Sequence, residues 1–223
     1  MNRPPEPAPP GEPRQRWRIT FARDPVAADA VGRTLLEAWQ DAVASTGLPV
    51  ARQVDSSGRI RMAFAAPLPA AARGEREWAD LWLLERLPAW HVRETLEPRL
   101  PAAHAWVDAE DVWLGAPALA GHVALADWRI EVEPVDATAL DALTRAAIAL
   151  TSARAIPRVR TKGTEQKAYD LRPLLAEVAV EASGDRVVVL ARTRFHSELG
   201  SGRPEEVVAA LADASGVPLA IAA

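Results

Sequence analysis

The chain contains no cysteine, which excludes disulfides, thiolate zinc sites, cysteine nucleophiles and thiolate-ligated iron–sulfur clusters within it. Long apolar runs are missing too. Nowhere do roughly eighteen apolar residues follow one another, and residues 1–13 hold no apolar stretch of the kind a secretory leader needs. Neither a leader nor a spanning helix is expected, and the cytoplasm is the default location. Positive charge is not in excess. A net charge of −4 argues against a wholly basic nucleic-acid-binding protein while leaving room for a local basic patch. Histidine is scarce, and His91, His104, His122 and His196 show no short ligand spacing. No Gly-x-Ser-x-Gly, His-Glu-x-x-His or Gly-x-Gly-x-x-Gly motif occurs. Carboxylate pairs such as Asp108 and Asp111 are common on surfaces and identify no acid–base machinery by themselves. No metal or cofactor is expected, and no residue is assigned a catalytic role.

What is present is an ordinary globular composition. The 223 residues are 49% hydrophobic and 25% charged, enough for one large domain or two small ones. The opening MNRPPEPAPPGEP holds six of the nineteen prolines, so residues 1–14 read as a disordered, polyproline-like arm.

Alternation predicts a strand at Arg16–Phe21 with Trp17, Ile19 and Phe21 on one face. Asp24-Pro25 is placed to open a helix striped by Val31, Leu35, Leu36 and Trp39 and stopped by Gly47. Strands follow at 59–66 and 77–84, a short helix at 89–96, and a strand around 105–113. The order β-α-β-β-α-β is that of a split βαβ, ferredoxin-like unit. The second half repeats the scheme. Strands are read at 123–132, 155–160, 174–180 and 186–195, helices at 136–150 and 204–214, and a returning edge strand at 218–221. The expected fold is therefore α+β, two ferredoxin-like halves with antiparallel sheets, spanning 15–116 and 117–223. Most tryptophans fall in strand patterns and read as core.

One segment departs from the average charge. From Arg154 to Arg172 six cations (Arg154, Arg158, Arg160, Lys162, Lys167 and Arg172) face two carboxylates, Glu165 and Asp170. Period-two spacing puts Arg158, Arg160 and Lys162 on one side of an extended strand, and Arg186, Arg192 and Arg194 on one side of a later one. Were these strands neighbours, a basic sheet face suited to phosphate oxygens or an acidic partner would result. Gly200-Ser201-Gly202-Arg203-Pro204 precedes a helix whose free N–H groups and Arg203 suit an anion, although Glu205 and Glu206 already answer the helix dipole. In Asp170-Leu171-Arg172-Pro173, the leucines read as core while Asp170 and Arg172 stay open between a structural turn and a site.

Three segments carry a family resemblance. Gly58–Pro69 ends a strand in Pro67-Leu68-Pro69 and leads to Glu77-Trp78-Ala79-Asp80-Leu81-Trp82. Arg160–Leu175 sets Asp170-Leu171-Arg172-Pro173-Leu174 behind a lysine-containing stretch. Arg194 through Gly202-Arg203-Pro204-Glu205-Glu206-Val207 gives a strand, a glycine turn and a helix opened by Arg-Pro. Together, over roughly residues 15–215, they resemble the radical SAM-associated (radical SAM-linked) proteins, a domain of unknown function. The resemblance implies a context. Such domains occur fused to, or encoded beside, radical SAM enzymes, often near RNA-processing genes. Lacking cysteine, this copy would be a separate accessory piece whose partner chain holds the cluster.

The sequence thus points to a non-catalytic accessory protein that binds the radical SAM enzyme, or RNA, through Arg158, Arg160, Lys162, Lys167, Asp170, Arg172, Arg192, Arg194 and Arg203. The alternative is an RNA-modifying or RNA-processing enzyme on paired ferredoxin-like halves, with Asp170 or His196 as the ionisable residues to test.

Overall fold

The alternation at Trp17, Ile19 and Phe21 does form a strand, and these three side chains are 0–4% exposed in the core of the first of two compact units, 1–122 and 123–223. The computed structural model describes residues 11–26, 33–55, 57–66, 68–133, 136–162, 165–184, 186–196 and 198–222, with side-chain detail for all of these but Arg33, Ala120, Thr161, Lys162 and Glu165. The expected proline-rich arm falls mostly, and the opening of the first helix partly, outside the described residues.

The first unit contains β1 (Gln15–Arg23), α1 (Arg33–Ala44), β2 (Met62–Phe64), β3 (Gly74–Leu83), α2 (Ala89–Leu96) and β4 (His104–Val112). Its strands pair antiparallel in the order β2-β3-β1-β4, the arrangement of a split βαβ unit. One face of the sheet packs Trp17, Ile19, Phe21, Ala79 and Leu81 with Trp39 and Val43 of α1 and Val92 and Leu96 of α2. The stop after α1 works as read, with Gly47 in the left-handed region at φ +71°. The strand expected at 59–66 is shorter. Only Met62–Phe64 ladders with β3, while Ile60 bridges Arg52.

The opposite face of the same sheet carries charge. Asp80, fully buried, receives Nε of Arg16 at 3.0 Å and Nε of Arg18 at 3.0 Å. Arg16 also donates to the carbonyls of Ala116 and Pro117, and its guanidinium lies 4.8 Å from the ring of Trp82, with that of Arg61 at 4.7 Å. Leu119 is completely buried in a short helical turn, Leu119–Gly121.

The second unit contains β5 (Leu125–Val132), α3 (Ala137–Ser152), β6 (Pro157–Lys162), β7 (Glu165–Asp170), β8 (Leu175–Ser183), β9 (Arg186–His196), β10 (Gly200–Ser201) and α4 (Pro204–Ser215). Here β9 pairs antiparallel with β5, β8 and the short β10. The chain then returns along β5, bridging Ile221 to Val132, with Glu133 N–H donating to Ala220 and Ala222 N–H to Glu131. With that segment in the fourth place, the second sheet has the strand order of the first. α3 is capped by Asp136, whose side chain accepts from Ala139 N–H at 2.8 Å. The core joins Ile130, Val132, Leu143, Leu150, Leu171, Leu174, Val187, Val189, Val207 and Leu211.

The fold is α+β with antiparallel sheets, as the element order implies. One element differs. Where the sequence suggests a single broken strand at 155–160, β6 and β7 form a hairpin inserted between α3 and β8, paired from Pro157 with Asp170 to Lys162 with Glu165. Its strands are joined to no other strand among the described residues. The two basic strands are therefore not sheet neighbours: β6 pairs with β7, and β9 pairs with β5, β8 and β10. A continuous basic sheet face does not form, because the inserted hairpin keeps Arg158 and Arg160 off the main sheet. Among the described residues no helix is long and apolar enough to cross a membrane.

Candidate functional site

The hairpin is closed at its base by the Asp-Leu-Arg-Pro segment. Asp170 Oδ1 accepts from Ile156 N–H at 2.7 Å and Arg172 N–H at 2.9 Å, while Leu171 N–H donates to Ile156 at 2.9 Å. Arg172 then spends its guanidinium on three carbonyls, those of Thr151 (2.7 Å), Ala153 (3.1 Å) and Leu175 (2.6 Å). The first two lie at and just past the end of α3, where carbonyls have no intrahelical partner. One side chain thus caps a helix and ties its end to the start of β8, while the Asp170 carboxylate closes the hairpin. Leu171, Leu174 and Leu175 are wholly buried beneath it. Asp170 and Arg172 are both bonded to backbone, as a structural turn requires.

Above the base, the hairpin is braced against α4. Arg160 makes a two-pronged contact with Glu206, both distances 2.8 Å, and reaches the Ser201 carbonyl at 3.1 Å. Arg158 pairs with Asp213. Arg158 and Arg160 are two apart on a strand and Glu206 and Asp213 one heptad apart on a helix, so each pair shares a face. Glu206 also accepts from Arg203 N–H at 3.3 Å, answering the first turn of α4 from within. That contact leaves the Gly200–Pro204 turn poorly suited to an outside anion. Gly202 is needed there for another reason, since a Cβ would lie 2.7 Å from the Leu174 carbonyl.

Tyr169, the chain's single tyrosine, lies under this brace. The Arg160 guanidinium sits 4.8 Å from its ring centre. Its hydroxyl is shielded and has no well-formed hydrogen bond. Burial, reinforced by the neighbouring Glu206 carboxylate, pushes its ionisation up to about 12. Hydrogen bonding to Glu206 raises the Arg160 pKa further. Between the hairpin and α4 runs an open groove of about 600 Å³ lined by Pro157, Arg158, Val159, Tyr169, Glu206 and Ala209. Val159 is 61% exposed at its edge.

The remaining candidates are scattered over the unit. Arg192 lies on β9 between its direct cross-strand partners, at 2.6 Å from Asp127 and 3.3 Å from Glu177. Hydrogen bonding to Arg192 holds the Asp127 carboxyl below its usual range. Arg194 donates to the carbonyls of Leu175 (2.9 Å) and Pro173 (3.4 Å), so it shares an acceptor with Arg172. Lys167 is exposed on β7 opposite Arg160. Arg203 is held only loosely, 4.0 Å from Glu205. The Lys162 side chain lies outside the described residues. His196 ends β9, its Nδ1 accepting from the N–H groups of Glu198 and Leu199.

The arginines stand out in the sequence and their partners do not. Tyr169, Glu206 and Asp213 complete the surface, and the heptad spacing of the two carboxylates on a helix beside a basic strand is the signal that could have revealed them. Among the described residues no cluster of three or more histidine, cysteine, aspartate or glutamate side chains could hold a metal ion.

Comparison with known proteins adds a family. Residues 16–205 match the family described as uncharacterized protein conserved in bacteria (DUF2344), and the chain belongs to it. No curated protein matches the chain.

Proposed function

We propose that this family member is a non-catalytic accessory protein of a cytoplasmic radical SAM system, docking the enzyme, a separate chain, through the β6–β7 hairpin and the groove beside α4. The observation that carries the reading is the bracing itself. Two ion pairs, a cation–π contact and the Asp170 carboxylate on the Ile156 and Arg172 N–H groups fix a hairpin that belongs to neither main sheet. A hairpin fixed in this way, with Val159 and Lys167 facing water and a groove at its side, suits recognition by a protein surface. The partner's identity rests on the resemblance set out above. RNA is the competing ligand. Arg158, Arg160 and Arg192 already hold carboxylates, so phosphate would have to displace those partners before gaining their charge.

The test is co-expression of the tagged chain with the radical SAM enzyme of the same genome. Stable co-purification that survives nuclease treatment is expected. Val159→Glu, a change at an exposed position, is expected to weaken the complex about tenfold. Absence of a complex, or a complex indifferent to Val159→Glu, overturns the docking surface. Loss on nuclease treatment transfers the surface to RNA.

A further inference from the structure

Two buried arginines stand on β1, and they differ in a telling way. Arg16 is 1% exposed and satisfied by Asp80 and two carbonyls. Arg23, at the far end of the strand, is 2% exposed and has no carboxylate in salt-bridge contact among the described residues. Its Nη2 donates to the carbonyls of Leu68 (3.3 Å) and Pro69 (2.6 Å), while Nε and Nη1 have no acceptor. Glu77 acts on it only through space.

The neighbourhood repeats the pattern. His104 is the direct cross-strand partner of Arg23 on β4. Its ring packs 5.3 Å from Phe21 and 5.8 Å from Trp39, and Phe21 lies 4.9 Å from Trp39. His104 Nδ1 meets the Ala102 carbonyl at 2.9 Å, which makes it the donor and leaves Nε2 shielded without a partner. Trp39, fully buried, likewise has an unpartnered Nε1–H. Of the six shielded side-chain polar atoms without partners among the described residues, four belong to Arg23, Trp39 and His104. Each orphan costs free energy, and a charged one costs most. A leucine or methionine would fill the place of Arg23 without that cost.

We propose that this corner of the first unit binds a small oxyanion, a carboxylate or phosphate group, on the free donors of Arg23 and Trp39, which His104 Nε2, an acceptor in the neutral ring, joins as a donor once protonated. An oxyanion supplies the acceptors that Arg23 Nε and Nη1 and Trp39 Nε1 lack, and it neutralises a buried guanidinium that makes no salt bridge among the described residues. The charged groups facing the corner are Arg23 from β1, Glu77 from β3 and His104 from β4, with the exposed Arg73–Asp24 pair (3.0 Å) at its rim. Burial raises the Glu77 pKa, and burial with repulsion from Arg23 lowers that of His104. Falling pH protonates both, making the corner more positive, so anion binding strengthens towards acid.

The experiment uses the full chain with its imidazoles labelled by ¹⁵N, titrated with inorganic phosphate and separately with acetate at constant ionic strength. One of the four histidine rings, identified through His104→Gln, is expected to shift saturably, and the melting temperature is expected to climb with the logarithm of anion concentration. Which anion binds more tightly separates a phosphate from a carboxylate ligand. Arg23→Lys keeps the charge but loses the planar set of donors, and is expected to bind about tenfold more weakly. Trp39→Phe removes the indole N–H in a ring-for-ring exchange and serves if Arg23→Lys fails to fold. Either of two results overturns the site: no saturable shift with either anion, which leaves water as the partner of these donors, or unchanged affinity in the folded variants.

Discussion

The two units share a strand order and use charge in opposite ways. In the first, Asp80 and Arg16 are withdrawn from water on one face of the sheet, with side chains 0% and 2% exposed. In the second, two charged pairs sit outside the core and fasten a hairpin to a helix, Arg160–Glu206 at 26% and 14% exposure and Arg158–Asp213 at 18% and 72%. The difference teaches where a charge matters for stability. A buried ion that loses its partner keeps its desolvation cost, whereas an exposed one turns to water.

The largest effect is accordingly expected at Asp80. Asp80→Ala leaves Arg16 buried without its counter-ion and is expected to destabilise the first unit by about 3–5 kcal/mol, measured by urea unfolding. A loss below about 1 kcal/mol would erase the contrast between the units. Next comes Arg172→Met, which strands the Thr151 and Ala153 carbonyls at the end of α3, Leu175 keeping Arg194, and is expected to cost about 2 kcal/mol. Hydrogen exchange should show faster opening at the last turn of α3 and the start of β8, with the first unit unchanged.

Glu206→Gln ranks third, at about 1 kcal/mol, since the pair is only partly buried. Its sharper readout is Tyr169. In the native chain the phenol ionises near 12 against about 10 when unfolded. Folding therefore holds this proton more tightly, and its contribution is complete below about pH 10 and lost as pH rises towards about 12. Removing the Glu206 charge is expected to lower the native value, read by ultraviolet titration of the one tyrosine. The smallest effect is expected for Asp127→Ala. Its carboxylate pairs with an exposed Arg192 that keeps Glu177, so thermal melting should match the parent chain.

Much of the fold was legible because burial writes a period into the sequence. Trp17, Ile19 and Phe21 alternate because one face of β1 is core, and Val187, Val188 and Val189 run together because β9 lies between β5 and β8. The β6–β7 hairpin was illegible for the same reason. Gln166, Lys167 and Ala168 are all exposed, so β7 has no apolar alternation to betray it. Gly163-Thr164 between two polar stretches was the available turn signal. The site was half legible. Charge density drew attention to Arg158, Arg160 and Arg172, but composition does not say whether a guanidinium faces solvent, a carboxylate or a carbonyl. Arg23 and Arg16 make the point most plainly: two arginines on one strand with equal burial, which only the structure tells apart.

Arg172 has one further consequence. Its guanidinium is a single rigid plate on which the end of α3 and the first residue of β8 both rest, two residues along the chain from the Asp170 that closes the hairpin. A plate cannot yield at one edge while keeping its grip at the others. A force that tilts the hairpin reaches this plate through Asp170, whose carboxylate holds the Arg172 N–H, and so pulls on the tail of α3 and on Leu175 together, as a lever passes on a load.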